Sequence, residues 1–428
     1  MRSFNTRTRV AVAASAVTLL ALAGCSSDNG GGGTSAADAA TQNLDGRGAI
    51  SFAMGKNDTD KLQPVIAKWN AAHPDEQVSL KELPGEADDQ YDKLVQSLQA
   101  GNSDYDVMAL DVVWTAGFAA NGWLQPLEGS LAIDTSNLLQ STVETATYRG
   151  KLVAGPQNTN AQLLYYRTDL TPQAPADWKA LTDSCAIAKD KGVQDCMVTQ
   201  LKQYEGLTVN TTQFINSWGG AVVGSDGKTP EVTSPQAKAG MQALVDAYQG
   251  GQIAKRSTGF TEEETNLAFV GGEAMYAYNW PYMWDNAQKD GSKVKGNVGV
   301  APIAGPAGAG ASTLGGYNNG INVFSKNKAT ARDFIAFVQN DENQMSFADA
   351  SFPPVLKSVY DDPALQAKYP YLPALKTALE NAKPRPVTPN YKQVSKAIQD
   401  NANSALTGAV TVDQAATNMA AAITAANQ

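Results

Sequence analysis

The sequence predicts an α/β fold with a doubly wound layer and a second lobe. Short strand patterns alternate with helical stripes from Ile50 onward, and a continuous apolar run from Val107 to Leu110 ends abruptly on Asp111. A second stretch, from about Leu163 to Val300, again mixes apolar runs with helical stripes. Such alternation builds a layer with helices packed on a sheet.

Taken in order, Ile50-Ser51-Phe52-Ala53-Met54 is the first strand. Leu62, Val65, Ile66 and Trp69 then fall at helical spacing, with Pro74 beyond as a stop. Val78, Leu80 and Leu83 mark a second strand, and Tyr91, Leu94, Val95 and Leu98 a second helix that Gly101 ends. With Val107 to Leu110 this makes β-α-β-α-β, whose ligands bind beyond the carboxyl ends of the strands. Asp111 lies at such an end. Met241, Leu244, Val245 and Tyr248 form a stripe in the second lobe, and the glycine-rich stretch from Gly305 to Gly310 reads as a crossover or loop. The last hundred residues are mostly helical, with stripes at Val394, Ile398 and Leu406 and at Ala416, Met419, Ala420 and Ile423, after an interruption at Pro384 and Pro386.

The 428 residues allow two or three folded units, and 18% charged against 43% apolar residues fits neither a disordered chain nor a polytopic membrane protein. A net charge of −9 gives no basic footprint for nucleic acid. His73 is the only histidine and is expected at the surface before Pro74, which excludes a His-built metal site and argues against a histidine base. No phosphate-binding Gly-Lys-Ser/Thr loop occurs, and no cofactor is expected.

Arg2, Arg7 and Arg9 precede an apolar run from Val10 to Leu22 that is too short to span a membrane but suits a secretory signal. Without those three arginines the net charge becomes −12. Leu22-Ala23-Gly24-Cys25 resembles the bacterial lipobox, which implies that residues 1–24 are removed and that Cys25 carries a lipid anchor. The Ser, Asp, Gly and Ala composition that follows reads as a flexible tether over 25–47. In an exported protein the remaining pair, Cys185 and Cys196, is expected to form a disulfide rather than a metal site.

Tyr276, Tyr278, Trp280, Tyr282 and Trp284 occupy every second position, so an unbroken strand would present five rings on one face. Packing in the core is the ordinary use of such a stripe. Pro281 breaks the ladder, so the strand is expected to end near Asn279 and leave Trp280 in a loop at a cleft edge. There the indole can stack on the CH-rich face of a pyranose, whose hydroxyls need carboxylates, amides or a guanidinium. Asp111, Asn158, Asn160 and Arg385 have the right chemistry.

Asp111, Trp114, Phe118, Gly122, Trp123, Leu124, Pro126 and Leu127 resemble the D-V-x-W…F-x-x-x-G-W-L-x-P-L signature of extracellular solute-binding proteins of ABC sugar importers, family 1, the trehalose/maltose/sucrose branch above all. Leu163-Leu164-Tyr165-Tyr166-Arg167, Tyr204-Glu205-Gly206-Leu207, Asn279-Trp280-Pro281-Tyr282, Leu314-Gly315-Gly316-Tyr317 and Arg385-Pro386-Val387-Thr388-Pro389 extend the resemblance in the same order. It implies a two-lobed type II periplasmic-binding-protein fold, maltose-binding-protein-like, that closes over a sugar without catalysis. The lobes are expected at 48–156 with 302–348 and at 157–301 with 349–428. The implied partners are a sugar, permease transmembrane subunits and, through Cys25, the outer face of the cytoplasmic membrane of a Gram-positive bacterium; a monomer is expected.

Carried over by motif, Asp58 contacts the sugar or caps a helix, and Asp111 accepts hydroxyl hydrogen bonds or serves as a cap. Asn158 and Asn160 stand where relatives often have an aromatic residue and an Asp. Trp280 stacks, Gly315 and Gly316 offer backbone amides where a side chain would obstruct the ligand, and Arg385 forks onto hydroxyls. Tyr317, where relatives commonly have Trp, is a second platform. Glu205 serves either ligand or packing, while Glu262-Glu263-Glu264 reads as the solvated first turn of a helix. An exported glycoside hydrolase using Asp111 and Glu205, or the same fold binding a peptide or other polar solute, are the alternatives.

Overall fold

The computed structural model describes residues 35–428, so the expected signal peptide and Cys25 lie outside the described residues. The two main sheets are built from β1 (Ile50–Gly55), β2 (Val78–Leu83), β3 (Val107–Asp111), β4 (Gly155–Ala161), β5 (Leu163–Arg167), β6 (Asp195–Val198), β7 (Ala274–Asn279), β8 (Val298–Pro302) and β9 (Leu314–Ile321). The first sheet has the order β2-β1-β3-β9-β4 and the second β8-β5-β7-β6. β1 runs parallel to β2 and β3, which fixes both β-α-β crossovers read from the sequence.

Each sheet is covered by helices on both faces. In the first lobe Phe52, Val107 and Ala109 pack on Val65, Trp69 and Phe334, while Leu110 and Met108 pack on Leu94, Leu98 and Phe118. The helical stripes chosen from the sequence are therefore the buried faces of helices Thr59–Ala72 and Ala87–Gln99. In the second lobe Val394, Ile398, Leu406, Met419 and Ile423 join Phe214, Met241 and Leu244 in one core. His73 stacks on Trp69 at the end of its helix, with ring centroids 3.8 Å apart, so it packs rather than standing free on the surface.

The chain crosses between lobes in less space than expected. β4 stays in the first sheet through Ala161, paired with Leu314, and β5 opens the second sheet at Leu163, leaving only Gln162 between them. β8 belongs to the second sheet through Pro302, paired with Leu163. The crossings thus sit at 162 and at 303–313 instead of at 156/157 and 301/302, because ladder pairing, not composition, decides where a strand changes sheets. Ser312 Oγ donates to Gln162 O at 2.6 Å, and Lys383 N donates to Ser312 O at 2.9 Å. These two connecting stretches are thereby hydrogen-bonded together with the Lys383 segment of the second lobe, while the third change of lobe falls between Phe352 and Val355.

The segment expected to be a tether up to residue 47 is seated from Ser35 onward. Ser35 caps the short helix Ala36–Ala39, and the fully buried Lys328 donates to Ala39 O at 2.6 Å and Gln42 O at 2.9 Å. A buried ammonium without a carboxylate needs such carbonyls, and burial pulls its pKa down to about 8. Arg47 adds bonds to Glu76 and Asp333. No described helix is long and apolar enough to cross a membrane.

Cys185 and Cys196 form a disulfide that ties helix Cys185–Asp190 to β6 across 11 residues. Replacing both by serine is expected to cost about 3 kcal/mol through the larger unfolded ensemble. Urea unfolding of that variant should coincide with unfolding of the reduced wild type; unchanged midpoints in both would remove the stabilising role.

Candidate functional site

The lobes meet over a cleft at the carboxyl ends of β1 and β3. Asp58 closes a tight turn directly after β1, and Asp111 is the last residue of β3. Glu205, Val209, Glu262 and Trp280 line the cleft from the second lobe, with Asn160, Gly315, Gly316 and Tyr317 from the crossing strands β4 and β9. Arg385 arrives on the segment after Lys383, which bridges to Thr313 of the second crossing.

Arg385 is 2% exposed and already holds two carboxylates. Its Nη2 donates to Asp111 Oδ1 at 2.7 Å and its Nη1 to Glu205 Oε1 at 2.7 Å. The first partner belongs to the first sheet and the second to the first turn of helix Glu205–Ser217, so one guanidinium spans the cleft. Both arms of the fork expected to face hydroxyls are hydrogen-bonded to protein carboxylates, while Arg385 still lines the cleft. Asp111 also caps its own turn through Val113 N at 3.2 Å.

Glu205 gains further donors from Tyr391 Oη and, at 2.6 Å, Ser395 Oγ. Burial nevertheless pushes its carboxyl up to about 7 against the pull of Arg385, which it shares with Asp111. Asp58 makes no capping bond, and burial pushes it up to about 6. Glu262 faces the cleft instead of solvent: burial raises its pKa, while the Tyr204 hydroxyl at 2.7 Å and the Trp280 side chain hold it back. All three glutamates lie in the first helical turn as expected, and Glu264 closes a capping box with Thr261.

The aromatic row divides at Pro281. Tyr276 and Tyr278 are buried in the second-lobe core, β7 stops at Asn279, and Trp280 turns into the cleft. Tyr282 and Trp284 belong to helix Tyr282–Gln288. Gly315 lacks a side chain for the sake of that indole, since a Cβ there would lie 2.9 Å from the Trp280 ring. Gly316, with φ +120°, would place a Cβ 2.4 Å from Asn158 O. Both glycines therefore admit protein neighbours, and both line the cleft. Asn158 is 1% exposed and does not reach the cleft; its Oδ1 accepts from Tyr317 N at 3.2 Å and so positions the second platform.

A second set of contacts joins the lobes at the start of helix Ala87–Gln99. Lys202 pairs with Glu86 at 2.5 Å, Glu205 N donates to Asp88 Oδ2 at 3.1 Å, and Lys392 pairs with Asp92. The exposed pairs contribute little each. No cluster of metal-ligating side chains occurs among the described residues.

Residues 55–345 match the model of the bacterial extracellular solute-binding protein family. A probable ABC transporter-binding protein of Deinococcus radiodurans is 33% identical over 347 residues, 77% of this chain and 82% of its own length. Among solved structures, the maltose-bound MalE3 of T. maritima is 34% identical with a TM-score of 0.82, covering 88% of this chain and 98% of that one. A solute-binding protein from Thermotoga lettingae, bound with alpha-D-tagatose, is 21% identical with a TM-score of 0.81, covering 89% and 100%, and shares the fold.

Two expectations follow from the carboxylates. Asp58 and Glu205 hold protons in the folded chain that they have released in the unfolded one between about pH 4 and 7, so stability falls as pH rises across that window and levels off above it. The Asp58→Asn, Glu205→Gln double variant should flatten the fall in urea midpoint between about pH 4 and 7; an unchanged slope would contradict the assignment. Arg385→Met strands two carboxylates and should destabilise by about 3–5 kcal/mol, partly recovered by adding Glu205→Gln.

Proposed function

As the chain belongs to the bacterial extracellular solute-binding protein family, in which it serves an ABC transporter, we propose that its cleft captures an intact sugar, an α-linked disaccharide such as trehalose or maltose, by hinge closure. The observation that carries this reading is the meeting of Trp280 with acceptors from both lobes in one cleft. An indole covers the CH face of a pyranose ring, while Asp58, Glu262 and Asn160 can accept hydrogen bonds from its hydroxyls. Tyr317 supplies the second ring. The maltose-bound relative supports a glucose disaccharide.

Closure follows from contacts that exist only when both lobes engage the ligand, and the sugar shifts the population toward the state it binds more tightly. The permease would read the closed lobes, with Cys25 holding the protein at the outer face of the membrane as a lipid-anchored monomer in a Gram-positive bacterium. ATP hydrolysis belongs to other subunits.

The hydrolase alternative needs Asp111 and Glu205 free to act on a glycosidic bond. Glu205 has the raised pKa of a general acid, yet its oxygens are held by Arg385, Tyr391 and Ser395, which supports binding. Thermal unfolding with a panel of α- and β-linked disaccharides should show protection by one α-linked member with the sugar recovered uncleaved. Trp280→Ala should weaken its binding by about 10–100-fold, the loss of roughly 1.5–3 kcal/mol of buried apolar contact. Cleavage, or protection by peptides alone, would overturn the proposal.

A further inference from the structure

The acidic start of helix Ala87–Gln99 is bonded to the second lobe at the side of the cleft away from the hinge. The crossings at 162 and 303–313 join β4 and β9, and Thr159 N of β4 donates to Pro353 O at the third, so every change of lobe lies at the β9–β4 side of the first sheet. β2 is the opposite edge strand, three positions from β9. With neighbouring strands about 4.8 Å apart, the segment that leaves the carboxyl end of β2 stands about 14 Å from β9. The arc of a rotation grows with distance from its axis, so bonds made there part first when the lobes open.

Glu86, Asp88, Asp89 and Asp92 crowd that segment with carboxylates. Acidic residues in a first turn suit the helix dipole without further purpose. Their partners exceed that use, since they come from separate stretches of the second lobe. Lys202 pairs with Glu86 and Lys392 with Asp92, while Gln399 Nε2 and Glu205 N both donate to Asp88 Oδ2, at 3.4 and 3.1 Å. Lys392 also lies 5.0 Å from the centre of the Tyr91 ring. Neither lysine lines the cleft, nor do Glu86 and Asp92. The Lys202 and Lys392 side chains are 40% and 37% exposed, so salt screens both pairs. Such pairs add little to folding, but the open and closed states of a hinged protein differ by a small free energy, of which two pairs are a sizeable part.

We propose that Lys202, Lys392 and the acidic helix start form an electrostatic latch across the rim, which sets how long the lobes stay closed through side chains that never touch the ligand. The inference rests on the hinge-closure reading of the cleft and adds to it a control on ligand retention. Small-angle X-ray scattering of the ligand-free protein tests it first, without any sugar, at about 20 and about 500 mM salt, between which the Debye length falls from roughly 20 to roughly 4 Å. The wild type should expand as salt rises. Lys202→Glu, Lys392→Glu should be expanded already at low salt and respond no further, and the charge swap Asp92→Lys, Lys392→Asp should behave as the wild type. Stopped-flow release of maltose at low salt should be about three- to tenfold faster in the reversed variant and unchanged in the swap. If the reversal does not fold, Lys202→Gln, Lys392→Gln takes its place. A wild-type radius that ignores salt, or a swap as expanded as the reversal, would overturn the latch and leave the cleft reading intact. A radius that follows salt in a protein that binds no maltose would uphold the latch and count against the maltose reading.

Discussion

One guanidinium under two carboxylates organises this molecule. Arg385 reaches the cleft on a segment that pairs with the hinge at Ser312, and it holds Asp111 of one lobe against Glu205 of the other. Ion pairs this buried are not a source of stability in themselves, since removing three charges from water offsets much of their attraction. Their value is geometric. A planar fork with two filled arms admits few lobe arrangements, so the relative position of the two halves is specified at the point where a ligand must touch both.

The excess of carboxylate over cation gives the cleft its character. Arg385 is spoken for, which leaves Asp58 and Glu262 as acceptors with raised pKa and no cationic partner bonded to them. A neutral polyol satisfies such groups better than an anion would, because its hydroxyls are donors of adjustable direction. The aromatic side of the cleft needs equal care in construction: Trp280 lies in place only because β7 ends at Asn279 and because Gly315 has no side chain to displace its ring.

The helix Glu205–Ser217 links these parts. Its first turn supplies the brace, Thr208 bonds Ser395 at 2.7 Å, and Thr313 Oγ1 of the hinge donates to Val209 O at 3.2 Å. A helix buried on nearly every side is an unusual place for so many polar residues, and Asn210, Gln213 and Thr199 answer this by bonding one another and the neighbouring strands. A ligand that pulls on this element therefore acts on the hinge directly.

Periodicity alone located β1 to β3 and the two helices between them, because an alternating or helical apolar pattern is local and has one stable way to be buried. It also placed Asp111 at a strand end and stopped β7 before Trp280, since proline cannot donate to a ladder. The sequence could not say where a long strand changes sheets, that Asn158 turns inward to bond Tyr317, or that residues 35–47 lie against Lys328. It read Glu262 as a solvated turn and left Glu205 undecided, and it did not pair Arg385 with its two carboxylates. Each of these depends on a partner 50 to 300 residues away. Burial and hydrogen bonding between such distant groups are set by how the lobes pack, and only the tertiary structure decides them.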